Sequence, residues 1–175
     1  MLGGVGYGIY RVVFDPVRFG PGDWRDRATP DGGCTVQIPG PVQDLPLSGG
    51  GPGIEGRKYQ YIVPGRDAAF MFGYMDVAAH IAPADYFDRC YRAELDEVGK
   101  ALRGQLVRDE PVDVNGHEAR EAEFKPSTGG RVVYRMVLLR GPTKARFVML
   151  FCGGRNMSAA DRRKFLDSFQ IKFLP

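Results

Sequence analysis

The chain has few of the residues that carry covalent chemistry. Among its 175 residues are two histidines (His80 and His117), three cysteines and one tryptophan. Three cysteines cannot all pair, and none lies in a Cys-x-x-Cys arrangement, which argues against a disulfide framework or a zinc site. The sequence contains no HExxH or GxSxG motif that would give either histidine a role. We therefore predict no catalytic residue, no metal site and no cofactor.

The sequence also has no hydrophobic run long enough to cross a bilayer. Residues 2–14 are apolar apart from Arg11, but a membrane-spanning helix needs about 20 residues. No basic region precedes this stretch and no cleavage site follows it, so it does not match a signal peptide. Two interpretations stay open: the end of a membrane anchor whose beginning is missing, or a strand or short helix packed on the domain. We predict an N-terminal segment and linker over residues 1–30 and a single domain over 31–175.

Charge is nearly balanced overall but unevenly distributed along the chain. The formal net charge is +3, whereas nine basic residues face one acidic residue between Arg131 and Lys164. A local excess of this kind indicates either a surface for a charged partner or charges that are neutralised within the fold, for example Glu121 and Glu123 opposite Arg131 or Arg135. The residues predicted to form an interaction surface are Arg131, Arg135, Arg146, Arg162 and Arg163.

Hydrophobic periodicity divides the chain into strands and two helices. Strands are predicted over 34–38, 57–63, 68–77, 105–114, 117–124, 131–140 and 145–152, helices over 85–103 and from Ser158, and a last edge strand within 168–173. Asn115-Gly116 indicates a type I′ hairpin. Asp85 is expected to cap the first helix and Gly104 to end it. Residues 15–33 and 41–56, rich in glycine and proline, are predicted to be irregular.

The order of these elements predicts the fold class. Tight turns join most consecutive strands, which favours an antiparallel sheet. Several strands are apolar on both faces, most clearly the last hairpin, so the sheet should be covered on both sides with that hairpin at its centre. We predict an α+β fold, a mainly antiparallel sheet covered on both faces by helices as in an α/β/α sandwich.

Several segments of the sequence together resemble a known family. They are VQIPGPVQ, YQYIV, ADYFD, VNGHEAREAEF, YRMVLLRGPTKARFVMLF and FLDSFQI. In order and spacing they are similar to bacterial domains of the PsbP-like α/β/α superfamily, which also contains the eukaryotic Ran-binding nucleotide-release factor. The resemblance covers residues 31–173. It implies a non-enzymatic accessory domain, often behind a membrane anchor or signal sequence in bacteria, and it supplies no binding residues. An anchored or extracytoplasmic location and a cytoplasmic one both stay open.

Two hypotheses for the function follow from the sequence. The first is a non-enzymatic accessory or protein-interaction domain with a protein partner. A nucleic-acid partner is disfavoured because Tyr134 and Arg135 alternate onto opposite faces of a strand. The second is a small-ligand carrier or sensor with an aromatic pocket. The residues that would line this pocket are Trp24, Tyr59, Tyr61, Phe72 and Tyr74.

Overall fold

The computed structural model describes residues 24–46, 54–63, 68–79 and 85–173. In chain order the elements are β1 (Trp24–Ala28), β2 (Cys34–Pro39), β3 (Gln43–Pro46), β4 (Ile54–Val63), β5 (Ala68–Ala78), α1 (Tyr86–Leu102), β6 (Gln105–Val114), β7 (His117–Lys125), β8 (Arg131–Arg140), β9 (Lys144–Gly154), α2 (Ala159–Asp167) and β10 (Gln170–Ile171). Seven strands form the main sheet in the order β3-β4-β5-β9-β8-β7-β6, and three form a small sheet in the order β1-β2-β10. All pairs of neighbouring strands are antiparallel.

The first helix covers one face of the main sheet. Phe87, Tyr91, Leu95 and Val98 of α1 are buried against the sheet in one apolar cluster, together with side chains of β5, β7, β8 and β9. Since these positions recur at helical spacing, the sequence pattern and the packing agree.

The ends of α1 differ in detail from the prediction. Asp85 makes no side-chain cap hydrogen bond and instead forms an ion pair with Arg89, one turn along the helix, at 3.1 Å. The left-handed residue at the other end is Arg103, with φ of 44°, and not Gly104. The Gly104 amide donates to the Gly99 carbonyl at 3.1 Å, so the helix still ends there with its carbonyls bonded.

The second face is covered by α2 together with the small sheet. Phe165 and Leu166 of α2 and alternate residues of β2 pack in one cluster with Phe70, Phe72 and Leu150 of the main sheet. The predicted α+β class and antiparallel sheet are confirmed. The cover on this face is not made by a helix alone, because β1, β2 and β10 form an additional layer beside α2.

Two strands lie in stretches that were predicted to be irregular. Trp24–Ala28 pairs along its whole length with β2, and Gln43–Pro46 pairs with β4. The prediction was wrong at these positions because both strands are short, mostly exposed edge strands without alternating hydrophobicity; backbone pairing with a neighbour makes them strands. The folded unit thus includes residues before the predicted boundary at 31. The rest of the predicted N-terminal segment, residues 1–23, lies outside the described residues.

The predictions for the Asn115-Gly116 turn and for the last hairpin are confirmed. Asn115 and Gly116 have φ of 54° and 80°, the two positive angles that a type I′ turn requires. The β8–β9 hairpin lies at the centre of the main sheet, as its two apolar faces predicted. The terminal strand is an edge strand of the small sheet and pairs with β2.

Candidate interaction surface

The fold divides the nine basic residues between Arg131 and Lys164 into two groups. The first group is ion-paired with acidic residues of neighbouring strands. Its five cations form six ion pairs: Arg131–Glu123, Arg135–Glu121, Arg140–Glu118, Lys144–Asp76, Arg146–Asp76 and, to the turn between β1 and β2, Arg146–Asp31. The N–O distances are 2.8 Å for Arg131 and 2.6 Å for Arg135, which confirms the expected pairing of these arginines with Glu123 and Glu121. Most of the predicted local charge excess is therefore neutralised inside the fold.

Arg146 is the most deeply buried of these cations. Its side chain is 2% exposed, and its guanidinium donates to both carboxylate oxygens of Asp76 at 2.6 and 2.7 Å and to those of Asp31 at 3.0 and 2.7 Å. Burial opposes the charge of Arg146, but these hydrogen bonds outweigh it and raise its pKa. The same guanidinium holds the pKa of Asp31 well below its usual range. Arg146 was predicted to lie at the interaction surface, and its burial places it in the interior instead.

The second group lies on α2 and on the loop before it. Arg155 and Arg162 donate to the backbone carbonyls of Thr128 and Met157 at 2.7 and 3.0 Å, which leaves their positive charges uncompensated. Arg163 and Lys164 are exposed on the outer side of α2 and make no ion pair with any described residue. Two acidic residues share the helix: Asp161, whose amide and carboxylate bond to Ser158, and exposed Asp167.

An aromatic ring from the other end of the chain completes this surface. The Nζ atom of Lys164 lies 4.5 Å from the centre of the Trp24 ring, a cation–π distance. Trp24 in turn contacts Phe70 of the core edge to face, with ring centres 5.5 Å apart. We call Trp24, Arg162, Arg163 and Lys164 the α2 surface. Arg162 and Arg163 were predicted to lie at an interaction surface. Trp24 was predicted only as a pocket residue and Lys164 only as part of the basic segment, since nothing local indicates that β1 meets α2.

Of the aromatic residues of the ligand-carrier hypothesis, Trp24 lies on the small sheet, and the other four share one face of β4 and β5 and are mostly packed. Phe72, Tyr61 and Tyr74 are 0%, 5% and 7% exposed. Tyr59 stacks on Phe72 with ring centres 5.8 Å apart, and the Arg146 guanidinium lies over the Tyr74 ring at 4.9 Å. These side chains fill the core between the two sheets.

The remaining candidates from the sequence lie apart from this surface. His117 is half-buried at the start of β7, and His80 falls outside the described residues. Cys34 and Cys152 are buried, and Cys90 on α1 is half-buried. Within the described ranges, no group of three or more histidine, cysteine or acidic side chains is placed to hold a metal ion. No helix of that part of the chain is long and apolar enough to span a bilayer.

Comparison of the coordinates with solved structures identifies the fold class. The chain has a PsbP-like fold: it matches the solution structure of the cyanobacterial PsbP protein CyanoP from Synechocystis with a TM-score of 0.54 and 14% sequence identity, over 91% of this chain and 98% of that one. Weaker matches are LpqN, involved in cell envelope biogenesis of Mycobacterium tuberculosis (TM-score 0.45, 13% identity, 77% of this chain and 92% of that one), and a protein from Bacteroides thetaiotaomicron (TM-score 0.43, 13% identity, 88% and 50%). Protein-family models and curated proteins give no match.

Proposed function

We propose that this chain is a non-enzymatic accessory domain that binds an acidic protein partner through the α2 surface. The observation that carries the proposal is the division of the basic residues. Of nine cations between Arg131 and Lys164, five are paired with carboxylates of the fold, and the four that are not all belong to α2 or its leading loop. Within this segment of the chain, the uncompensated charge is confined to α2 and its leading loop, where it favours contact with a surface of opposite charge.

The aromatic contribution supports a protein partner. Tryptophan and arginine are the residues that most often dominate binding energy at protein interfaces. Trp24 is half-buried beneath Lys164, so displacement of the lysine by a carboxylate of the partner would leave both the ring and the cation available for contact. Trp24 is also fixed from below by Phe70, so it loses little conformational freedom on binding.

The test compares two charge-reversal variants of the full chain that have the same net charge. The first is R163E/K164E on the α2 surface. The control is R92E/K125E, which reverses two exposed cations on α1 and β7 that make no ion pair with a described residue. Partners captured from the source lysate by wild-type protein are identified, and their affinities for both variants are measured at two salt concentrations.

We expect R163E/K164E to lose about tenfold or more in affinity, mostly through slower association at low salt, while the control binds as wild type does. A photo-crosslinking amino acid at position 163 should attach to an acidic segment of the same partner, and one at position 92 should not. Equal loss of affinity in both variants would contradict the proposal, as would a partner that crosslinks only from position 92. Thermal unfolding of each variant checks that the fold is retained.

A further inference from the structure

Three polar side chains are buried on α1 and on the face of the main sheet that α1 covers. Glu94 of α1 and Lys58 of β4 are each 4% exposed, and Gln60 of β4 is 8% exposed. Lys58 and Gln60 stand two residues apart, so both point to the same face of the sheet. They lie opposite Gly73 and Met71 of β5, whose alternation continues to Met75 in the cluster beneath α1. Burial of a carboxyl, an amine and an amide together in this way needs a physical explanation.

The Glu94 carboxyl has an unsatisfied oxygen in its buried position. Its Oε2 atom is buried and has no hydrogen-bond partner among the described residues. If the carboxyl were ionised at such a site, no hydrogen bond would offset the free-energy cost of removing this oxygen from water. A protonated carboxyl carries no net charge, so its burial costs less. The geometry therefore favours the protonated form when α1 is docked.

The balance of burial and nearby charges also favours the protonated form of Glu94. Burial, followed by the negative charge of Glu97 on the next turn, raises the pKa of Glu94 to about 7, and the charge of Lys58 opposes this shift. Burial also lowers the pKa of Lys58, with Glu94 opposing. Among the described residues, the remaining titratable neighbour is Cys90, one turn before Glu94, and burial raises the pKa of its thiol. β5 presents Met71, Gly73 and Met75 on this face, none of which titrates.

We propose that α1 is a proton-dependent cover over β4, docked most tightly when Glu94 is protonated and loosened when it ionises. The proposal is independent of the function assigned to the α2 surface, which lies on the opposite face of the sheet. A carboxyl whose native pKa is raised stabilises the docked state at low pH, and this contribution is lost as pH rises through the native value. If opening returns the carboxyl to its ordinary pKa of 4.5, the equilibrium constant for opening increases roughly 70-fold between pH 5 and pH 8.

The test is amide hydrogen exchange of the full chain between pH 5 and pH 8, corrected for intrinsic exchange rates and read residue by residue. Wild-type protein should lose protection in α1, for instance at Leu95 and Val98, by up to about 70-fold across this range. The E94Q variant, which keeps the shape but cannot ionise, should show a nearly flat profile. The matched control is E97Q, because Glu97 is a carboxyl of the same helix whose side chain is 37% exposed; it should keep most of the wild-type slope.

Two further measurements keep the proposal open to refutation even if a variant folds poorly. In wild-type protein, the ¹³C shift of the Glu94 carboxyl should titrate near pH 7. In K58M the midpoint should rise, since the cation that favours the carboxylate is gone. A midpoint near 4.5 in wild type, or an E94Q profile as steep as the wild-type profile, would overturn the proposal. So would a loss of protection shared equally by the amides of β8 and β9, because the pH dependence would then belong to global unfolding.

Discussion

At the scale of single residues, the Arg146 guanidinium joins the two sheets. It lies on β9 and bonds to Asp76 on the neighbouring strand and to Asp31 in the turn between β1 and β2. Lys144 adds a further bond to Asp76 at 2.6 Å. Because both carboxylates accept from one cation, removal of Arg146 would leave Asp76 buried with Lys144 alone, and Asp31 without its main partner. A buried charge that loses its partner costs much more than the pair contributes.

We predict that R146M lowers the free energy of unfolding by about 3–5 kcal/mol. R140M is the matched control, because the Arg140–Glu118 pair is about half exposed on both sides; it should cost less than about 1 kcal/mol. Urea unfolding of both variants measures the difference. Similar small losses in the two variants would show that the Arg146 network contributes no more than a surface pair.

D31N should have a smaller effect that depends on pH. The side chain of Asp31 is 35% exposed, so solvent screens part of its interaction with Arg146. Since the native pKa of Asp31 is lowered from 3.8, its contribution is complete above that value and is lost as pH falls through the native pKa. The acid side of the stability profile should therefore be shallower in D31N than in wild type.

At the scale of elements, α2 begins with a capping arrangement visible in the sequence. The Ser158 hydroxyl accepts a hydrogen bond from the Asp161 amide at 2.9 Å and donates to its carboxylate at 2.7 Å. Asp161 also places negative charge in the first turn, where the helix dipole favours it. The cap matters more here than in a longer helix, because α2 has nine residues and short helices are marginal alone.

We predict that S158A destabilises the protein by about 1 kcal/mol, and that S158T restores most of the loss. S127A is the control: Ser127 is exposed in the turn after β7, and its replacement should change stability by less than about 0.5 kcal/mol. Thermal unfolding monitored by circular dichroism gives the comparison. If S158A matches S127A, the hydrogen bonds at this cap contribute nothing measurable.

Elements with local signals were predictable from the sequence, and elements that depend on pairing were not. The Asn115-Gly116 turn, the apolar stripe of α1 and the alternation in β8 and β9 are properties of neighbouring residues. β1 and β3 are not, because their strand conformation comes from β2 and β4. The small sheet was missed for the same reason, although its middle strand and its terminal strand were predicted.

The same distinction between local and long-range signals applies to the residues of the candidate surface. Arg162 and Arg163 follow from the position of a helix that the sequence predicts. Arg146 is buried and not on the surface because it pairs with Asp76 and Asp31, which lie 70 and 115 residues earlier in the chain. No local pattern indicates such distant partners. Nor does the sequence distinguish Glu94 from the other acidic residues of α1, because only the structure shows that it is buried.

At the scale of the whole molecule, one question is whether the layer formed by α2 and the small sheet unfolds with the main sheet. Phe165 of α2 is fully buried and packs edge to face against Phe70 of β5, with ring centres 5.4 Å apart. Trp24 contacts the same Phe70. The Arg146 network adds a polar connection between the layers. Such shared contacts favour a single cooperative transition.

The one tryptophan of the chain makes this testable without added labels. Trp24 fluorescence reports on the contact between β1 and α2, while far-ultraviolet circular dichroism reports on all the helices and strands, most of which lie outside that contact. We predict coincident urea transitions by both probes in wild type. F165A should lower the free energy of unfolding by about 3–5 kcal/mol and shift both transitions together. A fluorescence transition that moves alone to lower urea would mean that the α2 layer separates before the sheet unfolds. The α2 surface would then be carried on a detachable layer, and partner binding there would stabilise that layer more than the sheet beneath it.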